Sequence, residues 1–142
     1  MTPELPAPPT RPVSVTAIAV LLVLEGLAVL AAAAWYLLSI GQEGPVNMGG
    51  RLFMLFLLLA AGAWQFLVGH FLFRGKAWTR ASALAWQVFQ VIFAASFFGG
   101  GMPLVALGLL VPAAAILLLL FDPKATAFFG DRGASASRGA QQ

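Results

Sequence analysis

Long apolar stretches separated by short polar segments are the main pattern along the chain. No charged residue lies between Arg51 and Arg74, and none lies between Arg80 and Asp122. A hydrocarbon layer about 30 Å thick is crossed by roughly 20 helical residues, so each gap is long enough for a membrane span. The stretches are apolar on every face, as over residues 113–121, whereas barrel strands alternate apolar and polar positions. The pattern therefore predicts helices that cross a membrane.

An all-α fold follows, a transmembrane four-helix bundle formed by residues 13–122 and connected by short turns rich in glycine and proline. The predicted helices cover residues 13–40, 51–73, 79–98 and 103–121. Residues 1–12 contain five prolines and are expected to be a disordered tail. Residues 123–142 are expected to be a second, mostly disordered tail after a short interfacial piece around Phe128 and Phe129.

The basic residues predict how the bundle is oriented, because short loops rich in Lys and Arg stay in the cytoplasm. Placing both tails and the middle loop inside leaves Arg51 as the one basic residue outside. The seven basic residues placed inside are Arg11, Arg74, Lys76, Arg80, Lys124, Arg132 and Arg138. We therefore expect a multi-pass protein of the plasma membrane with both termini in the cytoplasm.

A cleaved signal peptide is an alternative interpretation of the first apolar stretch. Arg11, the apolar run and the alanines at 31–34 imitate the three regions of such a leader. However, the stretch exceeds the roughly 7 to 15 residues of a leader's apolar region, and Glu25 interrupts it. We favour a membrane span, and a new N-terminus near Ala34 would show cleavage instead.

Composition narrows the function classes. Hydrophobic residues make up 61% of the chain and charged residues 9%, against about 25% charged in soluble domains. Cysteine is absent from the sequence, which excludes a disulfide framework and a cysteine nucleophile. The net charge is +3, and the basic residues lie beside the predicted spans rather than in a dense patch interleaved with aromatic residues. The expected partners are therefore membrane lipids and not nucleic acid. No phosphate-binding glycine motif, metal-ligand cluster or nucleophile with a base is recognisable, and we predict neither an enzyme nor a cofactor.

Glu25 is the most informative polar residue, because it falls near the middle of the first predicted helix. An ionised carboxylate at that depth costs at least about 2.5 kcal/mol and should face other helices. Counted from the cytoplasmic end at about 1.5 Å per residue, Glu25 lies about 18 Å deep, Gln90 about 15 Å, Gln65 about 13 Å and Gln87 about 10 Å. These four residues can therefore share one layer of the bundle.

Two tryptophans and a histidine complete the candidate site. Trp64 and Trp86 each bring an indole N–H that prefers a partner in the membrane. His70, about 6 Å from the cytoplasmic end, is either a member of a proton relay or an interfacial residue. Helical spacing places further polar and small residues on shared faces. These faces are Gly62, Gln65 and Gly69; Ser82, Trp86 and Gln90; and the small stripe Ala77, Ala81 and Ala85.

Three segments carry a resemblance to known proteins: Pro12-Val13-Ser14-Val15-Thr16 to Leu24-Glu25-Gly26-Leu27, Trp64-Gln65 to Gly69-His70-Phe71, and Arg74-Gly75-Lys76-Ala77-Trp78-Thr79-Arg80. In these segments the chain resembles an uncharacterised family of small integral membrane proteins of actinobacteria. The resemblance covers residues 10–126. It implies a four-span plasma-membrane protein and transfers no catalytic residue.

Two functions are compatible with these residues. The first is a non-enzymatic accessory or assembly subunit, partnered by other membrane proteins or by a second copy of itself, in which Glu25 and the glutamines fix helix packing. The second is a small proton-coupled transporter of a lipophilic or cationic solute that uses Glu25. Small multidrug-resistance transporters resemble this chain in having four spans and an embedded glutamate in the first span. They differ in having a glycine-rich dimer motif late in the bundle and little charge bias.

Overall fold

The computed structural model describes residues 10–42 and 44–142, and it forms five helices over these ranges without a strand. Helices α1 to α5 comprise Val13–Ser39, Met48–Phe73, Trp78–Gly99, Pro103–Leu120 and Pro123–Ala140. Most of the tail predicted at residues 1–12 lies outside the described residues.

The first four helices are each long and apolar enough to cross a membrane. Helix α1 has 27 residues, α2 has 26, α3 has 22 and α4 has 18. Their ends differ from the predicted ends by at most three residues, at the start of α2. The predicted all-α fold with four helices of membrane-spanning length is therefore confirmed.

Close packing joins α1 to α2 and α3 to α4, and α1 also contacts α4. The α1–α2 contact depends on glycine, since a Cβ atom on Gly69 would lie 3.2 Å from the carbonyl oxygen of Ala19. Large apolar side chains cover the outside, where Leu104 is 84% exposed and Leu118 is 77% exposed. A surface of this kind requires lipid rather than water around it.

The loop between α1 and α2 is organised by Arg51. Its guanidinium and Nε donate to the carbonyl oxygens of Ile40 at 2.9 Å, Val46 at 2.8 Å and Gly44 at 3.2 Å, and also to that of Gln42. The carbonyls at the end of α1, which lack intrahelical partners, thereby gain a charged donor. The hydrogen bonds of Arg51 therefore hold the backbone of this loop in place.

Helix α5 differs from the mostly disordered tail expected after residue 122. The helix begins at Pro123, a residue suited to a first helical turn, and continues to Ala140. Ala125, Phe128 and Phe129 are buried on one face, at helical spacing. The two phenylalanines therefore anchor a whole helix rather than a short interfacial piece, and the glycines and serines that suggested disorder lie mainly on its exposed part.

The start of α1, the α2–α3 turn and α5 lie together at one end of the bundle. The Arg11 guanidinium lies 3.9 Å from the Phe73 ring centre, and Arg132 Nη1 donates to the Arg74 carbonyl oxygen at 3.2 Å. Gly75 allows the turn through its positive φ of 76°. The seven basic residues named above thus belong to segments at this end, whereas Arg51 lies at the opposite end.

Candidate functional site

Three glutamine side chains from two helices converge on the carboxylate of Glu25. Oε2 accepts hydrogen bonds from Gln65 Nε2 on α2 and from Gln87 Nε2 on α3, the latter at 3.2 Å. Oε1 accepts from Gln90 Nε2, also on α3, at 2.9 Å. The structure therefore brings together the four residues that the depth count placed in one layer, and one carboxylate links α1 to both α2 and α3. We call these four residues the Glu25 cluster.

Gln90 extends the cluster to the fourth helix. Its Nε2 also donates to the Leu109 carbonyl oxygen on α4 at 3.0 Å. Its Oε1 accepts from Trp86 Nε1 at 3.0 Å, so both polar atoms of this amide have partners. Trp86 thus supports the cluster by orienting Gln90, although it does not contact Glu25 in these hydrogen bonds.

The glutamines are enclosed by the bundle. Gln65 is 1% exposed, Gln87 is 0% exposed and Gln90 is 7% exposed. Among the described residues, the buried Oε1 atoms of Gln65 and Gln87 have no hydrogen-bond partner. Each belongs to an amide group whose nitrogen donates to Glu25, and each can accept a further hydrogen bond.

Glu25 also borders a groove between α1 and α4. The groove has a volume of about 390 Å³, and Gln90 contributes the other polar side chain of its lining. Apolar and small residues form the remainder: Leu21, Leu24, Ala28, Val29, Ala32, Gly108, Leu109 and Pro112. Leu24 is 55% exposed, so this wall faces the region where lipid would lie. The carboxylate is therefore both hydrogen-bonded within the bundle and accessible from the groove.

Pro112 removes one backbone hydrogen bond of α4 next to the groove. It lies inside α4, where a proline lacks the N–H that would bond the carbonyl oxygen four residues earlier. That oxygen belongs to Gly108, which lines the same groove. Gly108 and Leu109 are not among the predicted site residues, and the i−4 spacing of Gly108 to Pro112 is the one sequence feature that relates to them.

Two candidate residues lie outside the cluster. Trp64 is 47% exposed, and its ring centre lies 6.3 Å from that of Trp78. His70 is exposed and packs edge-on against Phe71 at 5.6 Å between ring centres. Neither side chain has a hydrogen bond to Glu25 in the part of the chain that the structure describes. Trp64 therefore contributes to an aromatic pair on the bundle surface.

The inner face of α3 is rotated from the predicted one. Its buried residues are Thr79, Ala83, Gln87, Gln90 and Ala94. Ser82 instead donates to the Trp78 carbonyl oxygen at 3.4 Å, and the predicted face of Ser82, Trp86 and Gln90 is only partly inside. Ala77, Ala81 and Ala85 are exposed, so the predicted stripe of small residues lies outside the buried face of α3. The positions of the glutamines along α3 thus indicate its buried face better than the predicted stripe of small residues does.

The chemistry available here is hydrogen bonding, proton binding and attraction of a positive group. No group of three or more His, Asp or Glu residues that could hold a metal ion occurs within residues 10–42 and 44–142. Comparisons with family models, curated proteins and solved structures found no match. The resemblance to small actinobacterial membrane proteins stays a prediction.

Proposed function

We propose that this multi-pass membrane protein has no enzymatic activity and serves in the plasma membrane as an accessory or assembly subunit. The convergence of three glutamine amides from α2 and α3 on the carboxylate of Glu25 supports this role. Such a cluster fixes the register of the helices against each other. We place both termini in the cytoplasm, in accordance with the distribution of basic residues.

Packing forces alone hold membrane helices together weakly, because lipid tails are as apolar as the helix surfaces. A hydrogen bond between helices contributes about 0.6 to 2 kcal/mol in a membrane. Three such bonds to one side chain therefore contribute about 2 to 6 kcal/mol, a sizeable part of the roughly 5 to 15 kcal/mol by which folded proteins are stable. A preformed, rigid bundle is the property that a subunit needs in order to present constant surfaces to a partner.

Replacing Glu25 tests this proposal. Glu25→Gln keeps the size of the side chain and one acceptor oxygen, and its new amide group can donate to Oε1 of Gln65 or Gln87 once that amide has turned over. The bundle should therefore unfold in detergent at nearly the native temperature. Glu25→Leu removes every acceptor and leaves buried amide donors unpaired, which costs about 1 to 3 kcal/mol for each group. If Glu25→Leu were as stable as the native protein, the hydrogen bonds of Glu25 would not hold the helices together, and this proposal would be contradicted.

A second candidate function is the proton-coupled transporter of a lipophilic or cationic solute, which the groove at Glu25 favours. The carboxylate, the Gly108 carbonyl oxygen and an apolar lining match a solute that carries one positive group on an apolar body. Such a solute would reach Glu25 sideways from the lipid, between α1 and α4.

The unpartnered amide oxygens give this candidate a proton-linked mechanism. When Glu25 takes a proton, its new O–H needs an acceptor in place of a donor. A half-turn of the Gln65 or Gln87 side-chain amide exchanges its nitrogen for its unpartnered Oε1 and supplies that acceptor. The protonated carboxyl then no longer attracts a cation, so the solute leaves as the proton binds.

Transport in liposomes with a pH gradient separates the two candidates. Under the transporter hypothesis, Glu25→Gln abolishes proton-driven flux of a lipophilic cation while the protein still folds. Gly108→Leu should fill the groove and reduce flux at least about tenfold, and it fits because the space next to Gly108 is open. Absence of proton-dependent flux in the native protein, over a panel of lipophilic cations, would exclude this class of solute and leave the first proposal.

A further inference from the structure

A second pocket lies at the basic end of the bundle, between the start of α1 and the α4–α5 turn. Its volume is about 500 Å³. Val13, Ala17 and Leu119 form an apolar part next to the spans. The polar part consists of Arg11, Ser14, Lys124 and Asp122. This combination of an apolar wall and a polar rim occurs where the apolar helices end, at the level of lipid headgroups.

The polar part contains donors that are free to bind a ligand. The Ser14 Oγ atom is buried and has no hydrogen-bond partner among the described residues. The Arg11 guanidinium rests on the Phe73 ring, and this stacking leaves the N–H groups in its plane available. Lys124 adds an ammonium group on the other side of the pocket. Three side-chain donors therefore surround one space.

Two helix N-termini add to the positive potential of the pocket. Helix α1 begins after Pro12, and α5 begins after Asp122, and neither N-terminus has a side-chain cap. Free amide groups and the helix dipole attract anions at such positions. The Asp122 carboxylate opposes this effect, but Arg11 and Lys124 leave the side chains of the pocket with a net positive charge.

We propose that this pocket binds an anionic phospholipid through its phosphate group. Arg11, Lys124 and the Ser14 hydroxyl donate to the phosphate oxygens, and an acyl chain follows the apolar wall formed by Val13, Ala17 and Leu119. The apolar wall distinguishes a lipid from free phosphate, because a soluble anion would leave it uncovered. The site lies at one end of the bundle and is separate from the Glu25 cluster.

Native mass spectrometry of the protein released from nanodiscs tests the proposal. The nanodiscs contain equal amounts of phosphatidylglycerol and phosphatidylcholine, and the native protein should retain the anionic lipid preferentially. The Arg11→Gln/Lys124→Gln double variant should retain at least about tenfold less phosphatidylglycerol, because each cation near the headgroups contributes to the attraction. Ser14→Ala should weaken retention about fivefold through loss of one hydrogen bond. Ser14→Ala should leave the bundle folded, since the hydroxyl has no hydrogen-bond partner among the described residues.

The matched control is Lys76→Gln/Arg138→Gln, which removes the same charge from the same end of the bundle outside the pocket. It should retain the lipid as the native protein does. Equal losses in the two double variants would reveal diffuse attraction and overturn the proposal, as would a native protein without preference for the anionic lipid. Displacement of the lipid by excess inorganic phosphate would also overturn it. Thermal unfolding of each variant confirms that the bundle is intact.

Discussion

A Cβ atom placed on Gly26 would lie 3.2 Å from the carbonyl oxygen of Gly62. The same atom would also lie 3.2 Å from the backbone nitrogen of Phe66. The backbones of α1 and α2 are therefore in direct contact at this point, one residue from Glu25. The close approach brings Gln65, which is buried on the same face of α2, within hydrogen-bond reach of the carboxylate.

Gly26→Leu should separate α1 from α2 and destabilise the bundle by about 1 to 3 kcal/mol, the usual cost of overpacking a fitted contact. Thermal unfolding in detergent measures the change. Gly108→Leu is the matched control, since a Cβ at residue 108 meets nothing within 4 Å, and its stability should stay near the native value. Equal effects of the two substitutions would show that the glycine contact has no special role.

Gln90→Leu should cost more stability than Gln87→Leu. Gln90 has bonds to Glu25, Leu109 and Trp86, and its removal takes a partner from three part-buried groups, at up to about 1 to 3 kcal/mol each. In the part of the chain that the structure describes, Gln87 has one bond to Glu25 and a buried oxygen without a partner, and removal of that oxygen offsets part of the loss. Chemical unfolding in mixed micelles gives both values. The reverse order would mean that the hydrogen bonds do not determine stability here.

Arg51→Gln should loosen the α1–α2 loop, because a neutral amide cannot bond the four carbonyls that the guanidinium contacts. Limited proteolysis should cleave residues 40–47 several times faster, which corresponds to a loss of about 1 kcal/mol. Arg51→Lys serves as the control that keeps the charge, and it should also be cleaved faster, since one ammonium replaces the planar fork. If both variants were cleaved in this loop as slowly as the native protein, the hydrogen bonds of Arg51 would not be needed to order the loop.

The proposed cytoplasmic orientation of the termini can be tested with single cysteines, because the native sequence contains none. Gln42→Cys should react with an impermeant maleimide in intact cells, whereas Lys76→Cys and Ser137→Cys should react only after permeabilisation. The expectation follows from the excess of basic residues at one end. Labelling of Ser137→Cys in intact cells would reverse the orientation.

The sequence carried enough information for the layer of polar residues. Depth along a helix depends only on residue count, so Glu25, Gln65, Gln87 and Gln90 could be aligned before any contact was known. The rotation of α3 about its own axis is harder to predict from the sequence. The faces that contain Ser82 and Gln87 both carry polar and small residues, and only packing against the other helices decides which of them lies inside. Ser82 instead satisfies its hydroxyl within its own helix.

The groove and α5 could not be predicted in the same way. The groove requires the relative position of α1 and α4, so neither Pro112 nor Gly108 alone indicates it. Helix α5 depends on the docking of Phe128 and Phe129 and on the Arg132 bond to the Arg74 carbonyl, both of which are tertiary contacts. Local composition, rich in glycine and serine, argued for disorder there.

The partners of Glu25 are separated from it in the chain by 40, 62 and 65 residues. During synthesis, α1 and α2 leave the ribosome first and can pair as a hairpin, with Gln65 as the first donor to the carboxylate. Gln87 and Gln90 follow about twenty residues later, after α3 has been made. Until then the acidic side chain has one glutamine partner, so a hairpin of α1 and α2 alone satisfies the carboxylate less completely than the finished bundle does.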